Sequence, residues 1–323
     1  MRIDIEPFNE VFFINCGYQA LLAATRFHAG TCFPIIANSC GKYNCSPVCG
    51  ATEFSVDHVN FMKESTLLDR LGIVLEEHDY LEELEETVVR AIELGRPSIV
   101  DVDWSVVKST PFFGKSARPH SVLLHGYDRT LRELSVIGNA TAQPLKYARH
   151  SLPFGEIAGG YYAFNSKFNA DGGKKSYCLI SFVAQPIFGE VQAIELCRTL
   201  LGQTILSYGS SNLSTIECLR DTIWQSLQVD GISMAIGQGL TFVQSAIKSR
   251  LVDEYKLYQF IQDENALRSA REVVGALRLV LDILLKMEIT KSAGPRVGAR
   301  LGDAIDAWFE AEKRFNAQVA LFL

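Results

Sequence analysis

Asn15-Cys16-Gly17-Tyr18-Gln19-Ala20-Leu21-Leu22-Ala23-Ala24-Thr25-Arg26-Phe27-His28-Ala29-Gly30 reads as a helix with a thiol at its start. Apolar residues recur at helical spacing from Ala20 to Phe27, Asn15 is a good N-cap and Gly30 a natural stop. Cys16 then sits in the first turn. There the unpaired backbone N–H groups and the positive end of the helix dipole favour an anion. A free thiol, with a pKa of about 8.5, is mostly protonated at pH 7, and such a position shifts it toward thiolate. A histidine brought beside it would make Cys16 a nucleophile. The competing reading is a buried structural cysteine in an ordinary helix.

Working outward, the 323 residues suffice for two domains with separate cores. With 48% hydrophobic and 21% charged residues and a mean hydropathy of +0.10, the composition is that of a soluble globular protein. No apolar run reaches the roughly 18–20 residues needed to cross a bilayer. Met1-Arg2-Ile3-Asp4-Ile5-Glu6 is charged at once and lacks a signal-peptide core, so a cytoplasmic protein is expected. A net charge of −6 argues against nucleic acid as the main partner. Four of the eight cysteines, Cys32, Cys40, Cys45 and Cys49, crowd a Gly/Asn/Ser/Pro-rich stretch. Their spacing is irregular, without a Cys-x-x-Cys pair or a neighbouring histidine pair, so they read as plain loop residues, neither metal ligands nor disulfides.

Residues 31–55 read as a long loop, Val56 to Leu71 as a helix stopped by Gly72, and Leu81 to Leu94 as an acidic amphipathic helix. Then the period changes. Pro97 to Asp103, Ser121 to Tyr127, Glu133 to Gly138 and Tyr177 to Val183 read as strands, the middle two as a hairpin around Asp128 to Arg132. Gly159 to Tyr162 and Asn169 to Lys175 read as mobile loop. Past Pro186 only helical patterns follow: one capped at Asn212 or Ser214 and running to Leu227, then Thr241 to Phe260, Ala266 to Met287, and a last one after Pro295. The expectation is an α+β domain over 1–185 and an all-α helical domain over 186–323.

The helical part carries no histidine, so any Cys/His chemistry belongs to the first domain. His120 follows Pro119 at the mouth of a strand, and Asn139 closes the next strand, where its amide oxygen could accept the imidazole N–H. His125 would point to the other side of the sheet. Helix-start Cys, strand-start His and strand-end Asn is the order of papain-like enzymes.

Asn15-Cys16-Gly17-Tyr18-Gln19-Ala20-Leu21 resembles the Cys-helix of papain-like peptidases that trim leader peptides in bacteriocin exporters. Gly95-Arg96-Pro97 with Asp101-Val102-Asp103, His120 through Gly126-Tyr127-Asp128, and Val136-Ile137-Gly138-Asn139 resemble the motif series of the butirosin biosynthesis protein H family. That resemblance, over about residues 10–185, implies a papain-like domain followed by a helical one. It also implies a Cys16/His120/Asn139 triad, with Asn139 standing where the family usually has Asp. Papain-like enzymes carry an oxyanion-hole Gln about six residues before the Cys; here Glu10 occupies that place, leaving Asn9 or the Cys16 N–H as donor.

The first functional expectation is a cysteine acyltransferase or thioesterase of secondary-metabolite (antibiotic) biosynthesis. It would take an acyl group from a carrier-protein phosphopantetheine thioester and pass it to a small-molecule amine or other acceptor. No bound cofactor or metal, no nucleic acid and no membrane are expected as partners, and a homodimer stays open. Lys108, Lys115, Arg118, Lys146 and Arg149 flank the site as candidates for contacting an acidic carrier protein. The alternatives are a peptidase acting on a leader or precursor peptide and a catalytically inactive binding protein of the same fold.

Overall fold

The computed structural model describes residues 1–48, 51–139, 146–186, 190–227, 232–290 and 295–321. In chain order come α1 (Cys16–Ala29), α2 (Phe33–Ala37), β1 (Ser39–Val48), β2 (Ala51–Asn60), α3 (Glu64–Arg70) and β3 (Ile73–His78). Next are α4 (Leu84–Glu93), β4 (Ser98–Asp103), a 3-10 turn (Trp104–Val106), β5 (Pro119–Asp128), β6 (Glu133–Gly138) and β7 (Ala148–Pro153). Then follow α5 (Phe154–Phe168), β8 (Tyr177–Phe182), α6 (Glu190–Leu227), α7 (Ile232–Lys256), a π turn (Leu257–Ile261), α8 (Glu264–Thr290) and α9 (Pro295–Ala320). The protein is mixed α+β with antiparallel sheets and a helical C-terminal region. Among the described residues no helix is long and apolar enough to cross a membrane.

The chain forms two compact units. Met1–Cys32 joins Lys63–Glu190 in one, and Phe33–Met62 joins Val191–Leu323 in the other. The boundary read at 185/186 thus lies close to the last crossing, whereas residues 33–62, assigned by sequence to the first domain, belong to the helical unit.

The first unit is built on an antiparallel sheet ordered β3-β8-β4-β5-β6-β7. Alternate residues Val100, Val102, Val122, Leu124 and Val136 form an apolar core with Val88 and Ile92 of α4 and Ile157 and Tyr161 of α5. β5 bulges between Leu124 and Gly126, and the N-terminal segment pairs there: Ile3 N–H donates to His125 O at 2.7 Å and Tyr127 N–H to Met1 O at 2.8 Å. α1 begins and ends as its sequence prescribes. The Asn15 side chain accepts the Tyr18 N–H, and Gly30 takes the left-handed conformation, φ 71°, that closes the helix.

In the helical unit β1 and β2 form a hairpin whose Tyr43 and Phe54 pack on Phe242, with Trp308 against Tyr43. Gly41 is required by close approach: a Cβ there would lie 2.0 Å from Ser249 Oγ. Beneath the hairpin is a buried ion network. Arg250 bonds Glu312 Oε1 through Nε (3.0 Å) and Asp253 Oδ2 through Nη1 (2.7 Å), while Tyr43 Oη donates to Glu312 Oε1 (2.9 Å). Lys256 bonds Asp253 and the Ser39 carbonyl.

Several expectations are corrected. Residues 31–55 are not a loop; most of them form α2 and the hairpin. The helix expected over 56–71 is the end of β2 followed by the shorter α3. Gly159–Tyr162 lie inside α5, and β3 and β7 are strands in addition to those expected. Asn169 to Lys175 is a bonded turn, with Asn169 Oδ1 accepting the Lys174 N–H at 3.0 Å. Asn212 and Ser214 cap nothing, since α6 runs through them. The Asn212 side chain instead accepts the Tyr43 N–H at 2.8 Å. Cys32 and Cys40 are buried, Cys45 lies against Cys218 of α6, and Cys49 lies outside the described residues. No group of three or more His, Cys, Asp or Glu suited to a metal occurs among the described residues.

Candidate active site

Ile14, a β-branched residue, sits at φ 51°, a strained conformation directly before the helix start. The kink brings Asn15 into capping position and Cys16 to the first turn of α1. Cys16 Sγ lies 3.0 Å from His120 Nδ1, a contact spanning 104 residues of chain. His120 comes from the first turn-side residues of β5, paired with Val102 of β4. Its ring lies between Trp104 (centroids 5.2 Å apart, 23° between planes) and Tyr147 (6.0 Å, 21°). Burial between these rings, helped by the Arg118 charge, pushes the imidazole pKa down to about 3, so it is neutral at pH 7.

Asn139 reaches His120, but not in the way expected. Its main-chain N–H, rather than its side-chain oxygen, faces His120 Nε2 at 3.4 Å. That contact assigns the neutral proton to Nδ1, the nitrogen aimed at the sulfur. The ring is therefore set to support a thiolate more than to strip a thiol.

Both oxyanion candidates from the sequence are engaged by other groups. Asn9 holds both backbone groups of Tyr147, donating to its O at 2.9 Å and accepting from its N–H at 2.8 Å. Glu10 pairs with Arg26 at 2.9 Å. The buried glutamine nearby, Gln19, donates to Phe8 O and Val11 O and accepts from Phe13 N–H, locking the segment before the thiol. What remains is the N–H of Cys16 and of Gly17, which precede the first intrahelical bonds of α1.

A cavity of about 320 Å³ opens beside the thiol-bearing turn, with Asn15, Gly17, Tyr18, Glu64, Asp101 and Ser121 in its wall. Ser121 Oγ donates to Asp101 Oδ1 at 2.5 Å, and burial raises the Asp101 carboxyl to about 6. Its neighbour Asp103 is structural: it accepts the Ser105 and Arg118 N–H groups and pairs with Lys167 at 2.7 Å. Of the basic candidates, Lys108, Lys115, Arg118 and Lys146 are exposed, with the Arg118 guanidinium 4.2 Å from the Phe112 ring centroid. Arg149 is committed elsewhere, pairing with Asp4 (2.8 Å) and Glu6 (3.0 Å). His125 is fully buried and bonded through Nδ1 to Ile3 O at 2.7 Å.

The chain matches no known protein family and no curated protein. Its geometry therefore carries the functional argument. Four residues at the site were not read from the sequence as site residues: Trp104, Tyr147, Asp101 and Ser121. Asp101 and Ser121 had a signal, since both lie in the segments that carry the family resemblance. Tyr147 follows a stretch without periodicity, and nothing in the sequence pointed to it.

Proposed function

We propose that the protein is a cysteine acyltransferase or thioesterase with a papain-like catalytic unit, acting in the cytoplasm on acyl thioesters carried by a phosphopantetheine-bearing protein. The observation that carries this reading is the 3.0 Å approach of Cys16 Sγ to His120 Nδ1 at a helix N-terminus. The resemblance of the Cys16, His120 and Asn139 segments to the butirosin biosynthesis protein H family supports it.

The state of His120 favours a thioester over a peptide. A peptide bond expels an amine that must be protonated as it leaves, which demands an imidazolium. A ring whose pKa is near 3 holds almost no such proton at pH 7. A thioester expels a thiolate and needs none. In the first half-reaction the Cys16 thiolate attacks the thioester carbonyl and its pair moves onto oxygen, facing the Cys16 and Gly17 N–H groups. The adduct collapses, the pantetheine thiolate leaves, and the acyl group stays on Sγ. In the second, an amine or water attacks the acyl-Cys16 carbonyl from the adjoining cavity. There Asp101 is the carboxylate suited to take the proton the acceptor gives up. Cys16 is then released as thiolate.

The test uses intact mass. Acetyl-pantetheine should add one acetyl group mapping to Cys16; Cys16→Ala should gain none, and His120→Ala should gain it slowly. Unchanged wild-type mass, with cleavage of peptides, would shift the reading to a peptidase. Reaction with neither would leave the fold as a binding scaffold.

A further inference from the structure

Tyr147 enters the site from the approach to β7, with 3% of its surface exposed. Its backbone is fixed by Asn9 at both polar groups, and its ring lies along His120. Its hydroxyl makes no hydrogen bond within the described residues although it is buried. A buried hydroxyl left in that state is costly and rarely tolerated without a function. The ring against which Tyr147 stacks is the one whose Nδ1 lies 3.0 Å from the Cys16 sulfur, so Tyr147 and Cys16 share the surroundings of His120. Burial first, then the charge and accepting capacity of Cys16, push the phenol pKa well up, so the hydroxyl stays a donor throughout the physiological range.

We propose that the Tyr147 hydroxyl donates a hydrogen bond to the Cys16 thiolate, and that this nucleophile is held by neutral donors rather than by an imidazolium. The donor set is Tyr147 O–H, His120 Nδ1–H and the start of α1. The groups facing the sulfur are thus a phenol, a neutral ring and helix N–H groups; Arg118 acts on His120 from outside, and Glu10 is turned to Arg26. No bond to hydrogen is broken at Tyr147: the phenol keeps its proton while the sulfur exchanges its own with solvent. This device suits a site where His120 cannot hold a second proton. It rests on Cys16 being the nucleophile and not on the identity of the acyl group.

The test reads the thiolate directly, with no substrate. Iodoacetamide alkylation of Cys16, followed by mass mapping across pH 5–10, reports thiolate formation. Cys32, Cys178 and Cys197, raised by burial to about 12, stay silent. A hydrogen bond to a charged group is worth about 1.5–3 kcal/mol, or 1–2 pH units. Tyr147→Phe keeps the ring and its stacking, so its profile should move up by that amount and its rate at pH 7 fall roughly 10- to 100-fold, with the high-pH plateau unchanged. His120→Gln, which keeps a neutral N–H donor, should move the profile less than Tyr147→Phe. A Tyr147→Phe profile coincident with wild type overturns the proposal, as does a lowered plateau with an unmoved midpoint. Either result leaves the thioester reading standing, since acetyl transfer from acetyl-pantetheine is measured separately.

Discussion

Arg250→Met is a severe test of the helical unit. The Arg250 side chain is 4% exposed and its partners Asp253 and Glu312 are 3% and 0% exposed. Its guanidinium makes a two-point contact with Glu312 (Nε to Oε1 at 3.0 Å, Nη2 to Oε2 at 2.9 Å) and a third contact to Asp253. Methionine follows the aliphatic stem between the Tyr43 and Phe315 rings, so little cavity forms. What is lost is charge compensation. Among the described residues Glu312 keeps the Tyr43 hydroxyl and the more distant Trp308 Nε1 (3.3 Å), and Asp253 keeps Lys256. Removing one member of a buried pair costs about 3–5 kcal/mol, which in a unit of this size is roughly 6–20 °C in Tm. Thermal and urea unfolding followed at 222 nm should show that loss. In a double-mutant cycle, adding Glu312→Gln should return part of it, because the orphaned carboxylate is gone. A loss below about 1 kcal/mol, or strict additivity with Glu312→Gln, would refute the desolvated network.

Three further outcomes are expected. His120 is neutral and buried, with its pKa lowered from 6.5 to about 3. The unfolded chain therefore binds a proton that the folded one refuses: the contribution is full above about pH 6.5 and is lost as pH falls toward 3. Stability measured by urea at pH 7 and pH 4 should differ by more in wild type than in His120→Gln, and equal differences would exclude the buried neutral ring. Discharge of acetyl-Cys16 to 2-aminoethanol should rise with pH through about 6, the Asp101 value, and Asp101→Asn should slow it at least tenfold while leaving acetylation intact; an unaffected discharge rate would remove Asp101 from the second half-reaction. Gly41→Ala should destabilise the protein by about 1–3 kcal/mol, because its methyl group meets Ser249 and the hairpin must shift; a neutral result would mean the hairpin lies farther from α7.

The sequence by itself determined the elements whose signals are local. The Asn15 cap, the apolar stripe and Gly30 specify α1 within a span of 16 residues, and β-branched runs around a polar turn specify β5 and β6 and their pairing. It also marked Cys16, His120 and Asn139 as candidates by residue type and position. Tertiary structure decided the rest. Residues 39–48, with Gly41, Asn44, Ser46 and Pro47, carry no strand signal, and residues from Val56 on carry a helical one. They pair because Tyr43 and Phe54 find an apolar surface on α7 and α9 and because Asn212, more than 160 residues away, accepts the Tyr43 N–H. The same holds at the site. That the Asn139 main chain, not its side chain, meets His120, that Asn9 is drawn to Tyr147, and that the Tyr147 ring comes to lie along His120 all depend on contacts between distant segments. Local periodicity carries no information about such contacts, since a side chain's partners are set by which elements pack together and not by its neighbours in the chain.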